Sequence, residues 1–210
     1  MSVRRILHVK EKLGLFESTH RPLSDFPKFG DSQNKGINLQ AAKESIILTK
    51  NEDDLLPIST SSKLLVTGPT ANTMRTLMGG WSTTWQGDQV DNHLSQFNTI
   101  AEAISDRFGE AKVTVMEDMD NTPMLMTTAR DVDYIIYCLG ETSYTEDQGH
   151  INDLNLLREE LQNVQQLASS GKPIILVVTE GRPLIITEIE ALSTAVLVSF
   201  YPGTYGGDAI

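Results

Sequence analysis

The stretch "CLGETSYTEDQGHINDL", residues 138–154, holds four carboxylates, Glu141, Glu146, Asp147 and Asp153, with no Lys or Arg among them. It follows an apolar run. Uncompensated acids at the end of a strand have two readings: a solvated loop, or a site where one carboxyl group moves a proton. Like charges resist joint ionisation, so a carboxyl crowded by others has its pKa pushed upward. A raised pKa is what a general acid working near neutral pH requires. A second stretch, "GGWSTTWQGD" (79–88), carries both tryptophans of the chain, Trp81 and Trp85, between glycines. One reading is a buried indole that packs a loop. The other is an aromatic platform: sugar rings present apolar C–H faces, and a flat indole with a polar handle suits them. Glycines ahead of Trp81 would let a tight backbone project the ring. In "GRPLII" (181–186), Arg182 stands at a strand end, where an ion pair with one of the acids is expected.

Other chemistries find less support. The single cysteine, Cys138, lies in the apolar "YIIYCLG" and reads as a buried structural thiol; alone, it excludes an internal disulfide. His8, His20, His93 and His150 show no metal-ligand spacing, and no metal or cofactor is expected. Neither a G-x-G-x-x-G after a strand nor a P-loop is present. A net charge of -11 and a pI near 4.7 argue against a nucleic-acid surface, which needs basic clusters. No apolar run reaches the roughly 18 residues of a membrane helix, so no membrane partner is expected. The start, "MSVRRILHVKEKLGLFE", has basic residues without the apolar core of a signal peptide.

The elements that must position these residues read as an α/β domain with two segments before it. Residues 2–16 have helical apolar spacing at Val3, Ile6, Leu7, Val9, Leu13 and Phe16. "ESTHRPLSDFPKFGDSQNKG" reads as a linker. A helix is expected over Leu39–Thr49. Strands are expected at 63–68, 111–117, 133–140, 172–181 and 194–203, and helices at 70–78, 99–109, 123–132 and 156–171. Apolar strands alternating with helices imply βαβ units and a mainly parallel sheet with helices on both faces. Function in such sheets gathers at the carboxyl ends of the strands. Four expected strand ends carry glycine beside polar or aromatic residues: Gly68-Pro69, Gly140-Glu141, Glu180-Gly181-Arg182 and Tyr201-Pro202-Gly203. The small residues of "YPGTYGGDAI" read as the start of a helix, and the domain is expected to be incomplete at its C-terminus.

Several segments together resemble one family. "AAKESIILTKNEDDLLPI", "KLLVTGP", "MGGWSTTWQG", "TIAEAI", "LGETSYTEDQG", "DLNL", "GKPIILVVTEGRPL" and "YPGTYGGDAI" stand in the order and spacing of β-glucosidases of glycoside hydrolase family 3. The resemblance is to the family's second domain, an α/β sandwich, over about residues 39–210. It implies that residues 1–16 are the last helix of a preceding (β/α)8 barrel and 17–38 the linker. It also implies a retaining exo-glycosidase that releases glucose from β-glucosides or oligosaccharides, with no cofactor. Retaining chemistry needs two carboxyl groups about 5–5.5 Å apart. On the family pattern the nucleophile is an Asp of the barrel. The general acid/base maps to Glu146, and Trp85 maps to the aglycone subsite. Trp81 is implied as a packing or supporting partner within that subsite. Glu141, Asp147, His150 and Arg182 are implied as supporting residues. Where the family has Asp after the loop glycine, this chain has His150, and where Pro is common after "DLxL" it has Leu157. Without the barrel and its nucleophile, the chain alone is expected to be inactive. The resemblance favours a periplasmic or secreted enzyme. Two other readings stand beside it: a non-catalytic carbohydrate-binding or interaction module of the same fold, and a flavodoxin-like binding domain.

Overall fold

The computed structural model describes every residue except Met1, Thr19, Asp118, Asp120 and Asn121. It divides into two compact units, residues 1–37 and 38–210. The first carries helix α1 (Ser2–Lys12), a 3-10 turn at Leu23–Asp25, and the start of helix α2 (Ser32–Ser45). None of its described residues is buried. The apolar positions that mark α1 as a helix, Val3, Ile6, Leu7 and Val9, are all exposed. Helix α2 begins at Ser32, inside the segment read as linker.

The second unit is built on a six-stranded sheet: β1 (Ile47–Asn51), β2 (Leu64–Thr67), β3 (Val113–Met116), β4 (Tyr134–Gly140), β5 (Ile174–Thr179) and β6 (Ala195–Val198). Their order is β1-β6-β5-β4-β2-β3, with every pairing parallel except the antiparallel β1–β6. The expectation of a mainly parallel sheet holds.

Side-chain alternation along the strands feeds two cores. Leu65, Ile135, Tyr137, Leu139, Leu176 and Val178 face one side, covered by α4 (Thr122–Asp131), α5 (Arg158–Ala168) and α6 (Thr187–Glu190). Leu64, Val66, Ile136, Cys138, Ile175 and Val177 face the other, under α3 (Ile100–Phe108) and the buried Ala71, Met74, Leu77 and Val90 of the β2–α3 connection. Burying strands on both faces explains why "YIIYCLG" and "IILVVT" read as unbroken apolar runs.

Two expectations fail. The helix expected over Leu39–Thr49 ends at Ser45, and Ile47–Asn51 is a strand pairing with β6. The run "IIL" suits helix or strand locally; its partner lies about 150 residues away in sequence, as Ile47 faces Val198. Residues 70–78 form turns, not a helix. Side chains there capture the backbone donors that a helix would use. Asp91 accepts from the Met74 N–H at 2.6 Å, and the Thr73 hydroxyl accepts from the Arg75 N–H at 3.1 Å. Where the start of a helix was expected over the last residues, α7 (Gly206–Ala209) forms.

Strand order sets the site. From β2 the chain passes outward to β3, then returns to the other side of β2 as β4. The helix after β2, α3, packs on one face, and the helix after β4, α5, packs on the other. Connections that part this way leave a crevice at the carboxyl ends of β2 and β4. The two ends approach closely there. Gly68 has φ +102°, and a Cβ at this position would strike the Cys138 carbonyl. Only glycine fits.

Candidate active site

Two loops fill the crevice: 79–88 from the β2 side and 141–150 after β4. Strand β4 ends at Gly140, φ +146°, where any Cβ would run into the Thr179 carbonyl at the end of β5. The Glu141 N–H then donates to that same carbonyl at 2.9 Å, so the acidic loop starts anchored to the sheet.

Arg182 holds the loop from within. Its Nε donates to the Glu141 carboxylate at 3.0 and 3.2 Å, and its Nη1 donates to the Gly149 carbonyl. Its guanidinium lies 3.9 Å from the centre of the Tyr144 ring, a cation–π contact. One side chain therefore ties the loop's first residue, its middle and its end. Tyr144 packs edge-on against Tyr201, with centroids 6.3 Å apart. Gly149 and Gly181 leave room for Tyr144; a Cβ at Gly181 would stand 2.7 Å from its hydroxyl.

The tryptophan loop is pressed against this assembly. A Cβ at Gly80 would stand 2.6 Å from the Cβ of Thr145, and one at Gly87 would stand 2.9 Å from Ser143 Oγ. Gly80 and Gly87 serve the close approach of the second loop. The Ser143 hydroxyl donates to the Gly87 carbonyl at 3.0 Å. The Gln86 side chain bonds both backbone groups of Thr145: Oε1 accepts from its N–H at 2.9 Å, and Nε2 donates to its carbonyl at 3.2 Å.

Trp85 and Glu146 stand immediately next to that pair, one on each loop. Glu146 is exposed, with φ +54°, and no hydrogen bond or ion pair from another described residue holds its carboxylate. Trp85 is 45% exposed and Trp81 68%. Neither is the buried indole of the first reading, and Trp81 meets Trp85 through the backbone. Its N–H donates to the Trp85 carbonyl at 2.8 Å, which closes a turn with Trp81 and Thr83 in the left-handed region. Asp147 and His150 are exposed and meet only through the backbone, His150 N–H to Asp147 carbonyl at 3.1 Å. The crowding of carboxylates expected of the loop is relieved by Arg182, which pairs with Glu141 as the sequence suggested.

Perturbed groups surround the clamp. Burial pushes the Tyr144 hydroxyl up, and the Glu141 charge adds to this. Burial also raises Tyr201, with Tyr144 and Glu141 contributing. Glu180, 5% exposed at the end of β5, is raised by burial and then by Glu141, while its Oε2 accepts from the Leu184 N–H at 2.9 Å. Cys138 is fully buried and its thiol is pushed up to about 12, which makes it no nucleophile. Among the described residues no group of three or more His, Cys, Asp or Glu is placed to hold a metal. Among them, too, no helix is long and apolar enough to cross a membrane.

Gln86 and Tyr144 escaped the sequence reading, which noted Glu180 and Tyr201 only beside strand-end glycines. Glu180 carried a signal, a carboxylate just past the apolar run 174–178 and Thr179. Gln86 carried none, because its partner is 59 residues away.

Known proteins are similar to this chain in sequence and fold. The model of the glycosyl hydrolase family 3 C-terminal domain matches residues 46–210. The lysosomal beta glucosidase of Dictyostelium discoideum is 30% identical over 226 residues, covering 100% of this chain and 28% of its own length. The periplasmic beta-glucosidase of Salmonella typhimurium is 24% identical over 239 residues, covering 100% of this chain and 31% of its own. The crystal structure of the exo-1,3/1,4-beta-glucanase ExoP from a Pseudoalteromonas species superposes with a TM-score of 0.83 at 30% identity, over 98% of this chain and 26% of that one. In fold, the beta-glucosidase from Listeria innocua in complex with glucose is similar as well, with a TM-score of 0.81 at 24% identity, over 98% and 28%. The chain thus spans roughly a quarter to a third of the length of these proteins. With the family model matching most of its residues, the chain belongs to glycoside hydrolase family 3, whose C-terminal domain it carries.

Proposed function

We propose that these residues supply the general acid/base and part of the aglycone subsite of a retaining exo-β-glucosidase. Glu146 is the acid/base and Trp85 the subsite wall. The observation that carries this reading is the Gln86–Thr145 pairing, which brings the tryptophan loop against the acidic loop at the crevice between β2 and β4. An exposed carboxylate with no partner among the described residues is free to meet a glycosidic oxygen. An exposed indole beside it offers its face to the leaving sugar or aryl group. In the first half-reaction Glu146, protonated, gives its proton to the departing oxygen while a nucleophilic carboxylate attacks the anomeric carbon. In the second, Glu146 takes a proton from the water that releases the sugar. Arg182 holds the Glu141 side chain in an ion pair at the start of the loop, so that Glu141 competes for neither step.

The nucleophile belongs to a barrel domain preceding this one in the same reading. Residues 1–16 are its last helix and 17–38 the linker; the exposed apolar positions of α1 suit a helix that packs on a partner. A general acid without a nucleophile cannot complete a double displacement. The purified 210-residue chain is therefore expected to release no nitrophenol from an aryl β-glucoside, and detectable turnover would refute the division of labour. In the full-length enzyme, Glu146→Gln should slow glucosides of poor leaving groups by about a hundredfold or more, the usual range for a lost general acid. Dinitrophenyl glucosides, which leave unaided, should be cleaved in the first step at near parental rates. Equal loss on both substrates would rule out the acid role.

A further inference from the structure

Gln86 occupies an unusual place between the two loops. Its carboxamide faces the peptide of Thr145, accepting from the N–H at 2.9 Å and donating to the carbonyl at 3.2 Å. A primary amide facing a backbone peptide in this way mimics one rung of a β-ladder. Both bonds fix the residue that immediately precedes Glu146. Beyond that rung Glu146 turns to φ +54°, a conformation that costs a non-glycine residue about 1 kcal/mol or more and persists only when its surroundings hold it. On its far side, Gly149 is held by Arg182. The Glu146 side chain has no holder of its own among the described residues. Its direction is therefore set by the backbone on either side of it.

The same glutamine follows Trp85 directly in the chain. The loops it bridges are otherwise in close contact through Gly80 against Thr145 and Gly87 against Ser143. From this geometry we infer that Gln86 is a positioning residue. It aims the Glu146 carboxylate, and it couples the placement of that carboxylate to the Trp85 wall. A leaving group seated on Trp85 thereby meets an acid already fixed at a set distance from its oxygen. The inference rests on the reading of Glu146 as general acid/base and adds a residue to it.

The test uses the full-length enzyme, with three variants and two substrates. One is an alkyl β-glucoside that needs acid assistance, the other a dinitrophenyl β-glucoside that does not. The quantity read is the ratio of their kcat/KM values, in which any loss of correctly folded enzyme cancels. Gln86→Ala removes both bonds and should lower the ratio about tenfold to a hundredfold, the penalty of a catalytic group misplaced by about 1 Å. Gln86→Glu keeps an acceptor for the Thr145 N–H but sets a carboxylate against its carbonyl. It should lower the ratio as well, by less than Gln86→Ala. Glu146→Gln calibrates the scale. A ratio that falls for Glu146→Gln and stays parental for both Gln86 variants overturns the positioning role alone. A ratio that stays parental for Glu146→Gln removes the acid/base reading and the positioning role with it. A direct companion measurement is hydrogen exchange at the Thr145 amide in the 210-residue chain. Gln86→Ala should speed it by about tenfold or more, as expected when an amide loses its one acceptor. Unchanged exchange would show that the bond does not hold the loop.

Discussion

Arg182 makes three contacts with one loop, to Glu141, Tyr144 and Gly149, and each uses a different property of the guanidinium. The Nε–H meets a carboxylate, an Nη–H reaches a carbonyl, and the flat face stacks on a ring. The pair is mostly withdrawn from water, with Arg182 22% and Glu141 17% exposed at the side chain. Losing the cation would leave a partly buried carboxylate and an unpaired carbonyl. Arg182→Ala should therefore cost about 2–3 kcal/mol, more than an exposed ion pair and less than a fully buried one. Arg182→Lys should recover only part of that, since an ammonium offers neither fork nor stacking plane. Urea midpoints of the two variants decide the point; a Lys variant as stable as the parent would mean that charge alone matters. From the sequence, the Arg182 ion pair was legible because a lone cation stood at a strand end in a chain with an acidic loop. Glu146 was not distinguishable from Glu141, Asp147 and Asp153 by charge or spacing, and only the family resemblance singled it out. Two further residues that hold the loop in place, Tyr144 and Gln86, were invisible for a physical reason. Neither residue type is rare in loops, and their contacts join segments far apart in the chain.

The elements that form as expected are those whose local chemistry and tertiary packing agree. Helix α3 is one case. Thr99 and Glu102 make a capping box: the Thr99 hydroxyl accepts from the Glu102 N–H at 3.2 Å, and Glu102 Oε2 accepts from the Thr99 N–H at 2.8 Å. The same helix buries Ile100, Ala101 and Ile104 on the sheet. Thr99 is itself buried, and its hydroxyl also donates to Asn72 at 3.0 Å. Thr99→Ala should cost about 1–2 kcal/mol, at the upper end for an N-cap because a second hydrogen bond is lost too. Thr99→Ser should cost clearly less. Thermal unfolding of both variants checks this, and equal losses would place the effect in the lost methyl group rather than in the cap. The elements that departed from expectation show local preference being overridden. Residues 70–78 hold Asn72, Thr73 and Thr76, whose side chains bond backbone and neighbours instead of letting a helix form. β1 follows α2 after a single residue, and its apolar run takes the strand form because β6 presents a free edge to it.

At the scale of the whole molecule, the alternation of apolar strands and amphipathic helices made the layered fold legible, and the crevice followed from strand order. What local patterns could not give was the order itself, with β2 between β3 and β4. One consequence of the layering concerns acidity. The folded chain buries carboxyl groups in an already anionic molecule of net charge -11. Glu180 sits at the end of β5, 5% exposed, raised by burial and by the nearby Glu141. Glu160 of α5 accepts from the buried Tyr137 hydroxyl at 2.5 Å and is raised by burial, with Glu159 adding to it. A carboxyl group whose pKa is higher folded than unfolded favours the folded state while both forms are protonated, below its ordinary value of 4.5. That contribution fades as pH climbs from 4.5 through the raised folded value, because the unfolded chain ionises first and more readily. Above both values, each ionised group opposes folding by a constant amount. Glu180→Gln keeps an oxygen for the Leu184 N–H and removes the charge. Its stability relative to the parent chain should therefore rise as pH climbs from 4.5 through the raised folded value and then level off. Denaturant unfolding at small, even steps of pH measures this difference directly. A variant that gains nothing relative to the parent over that span would mean that water reaches Glu180 well enough to ionise it at no cost.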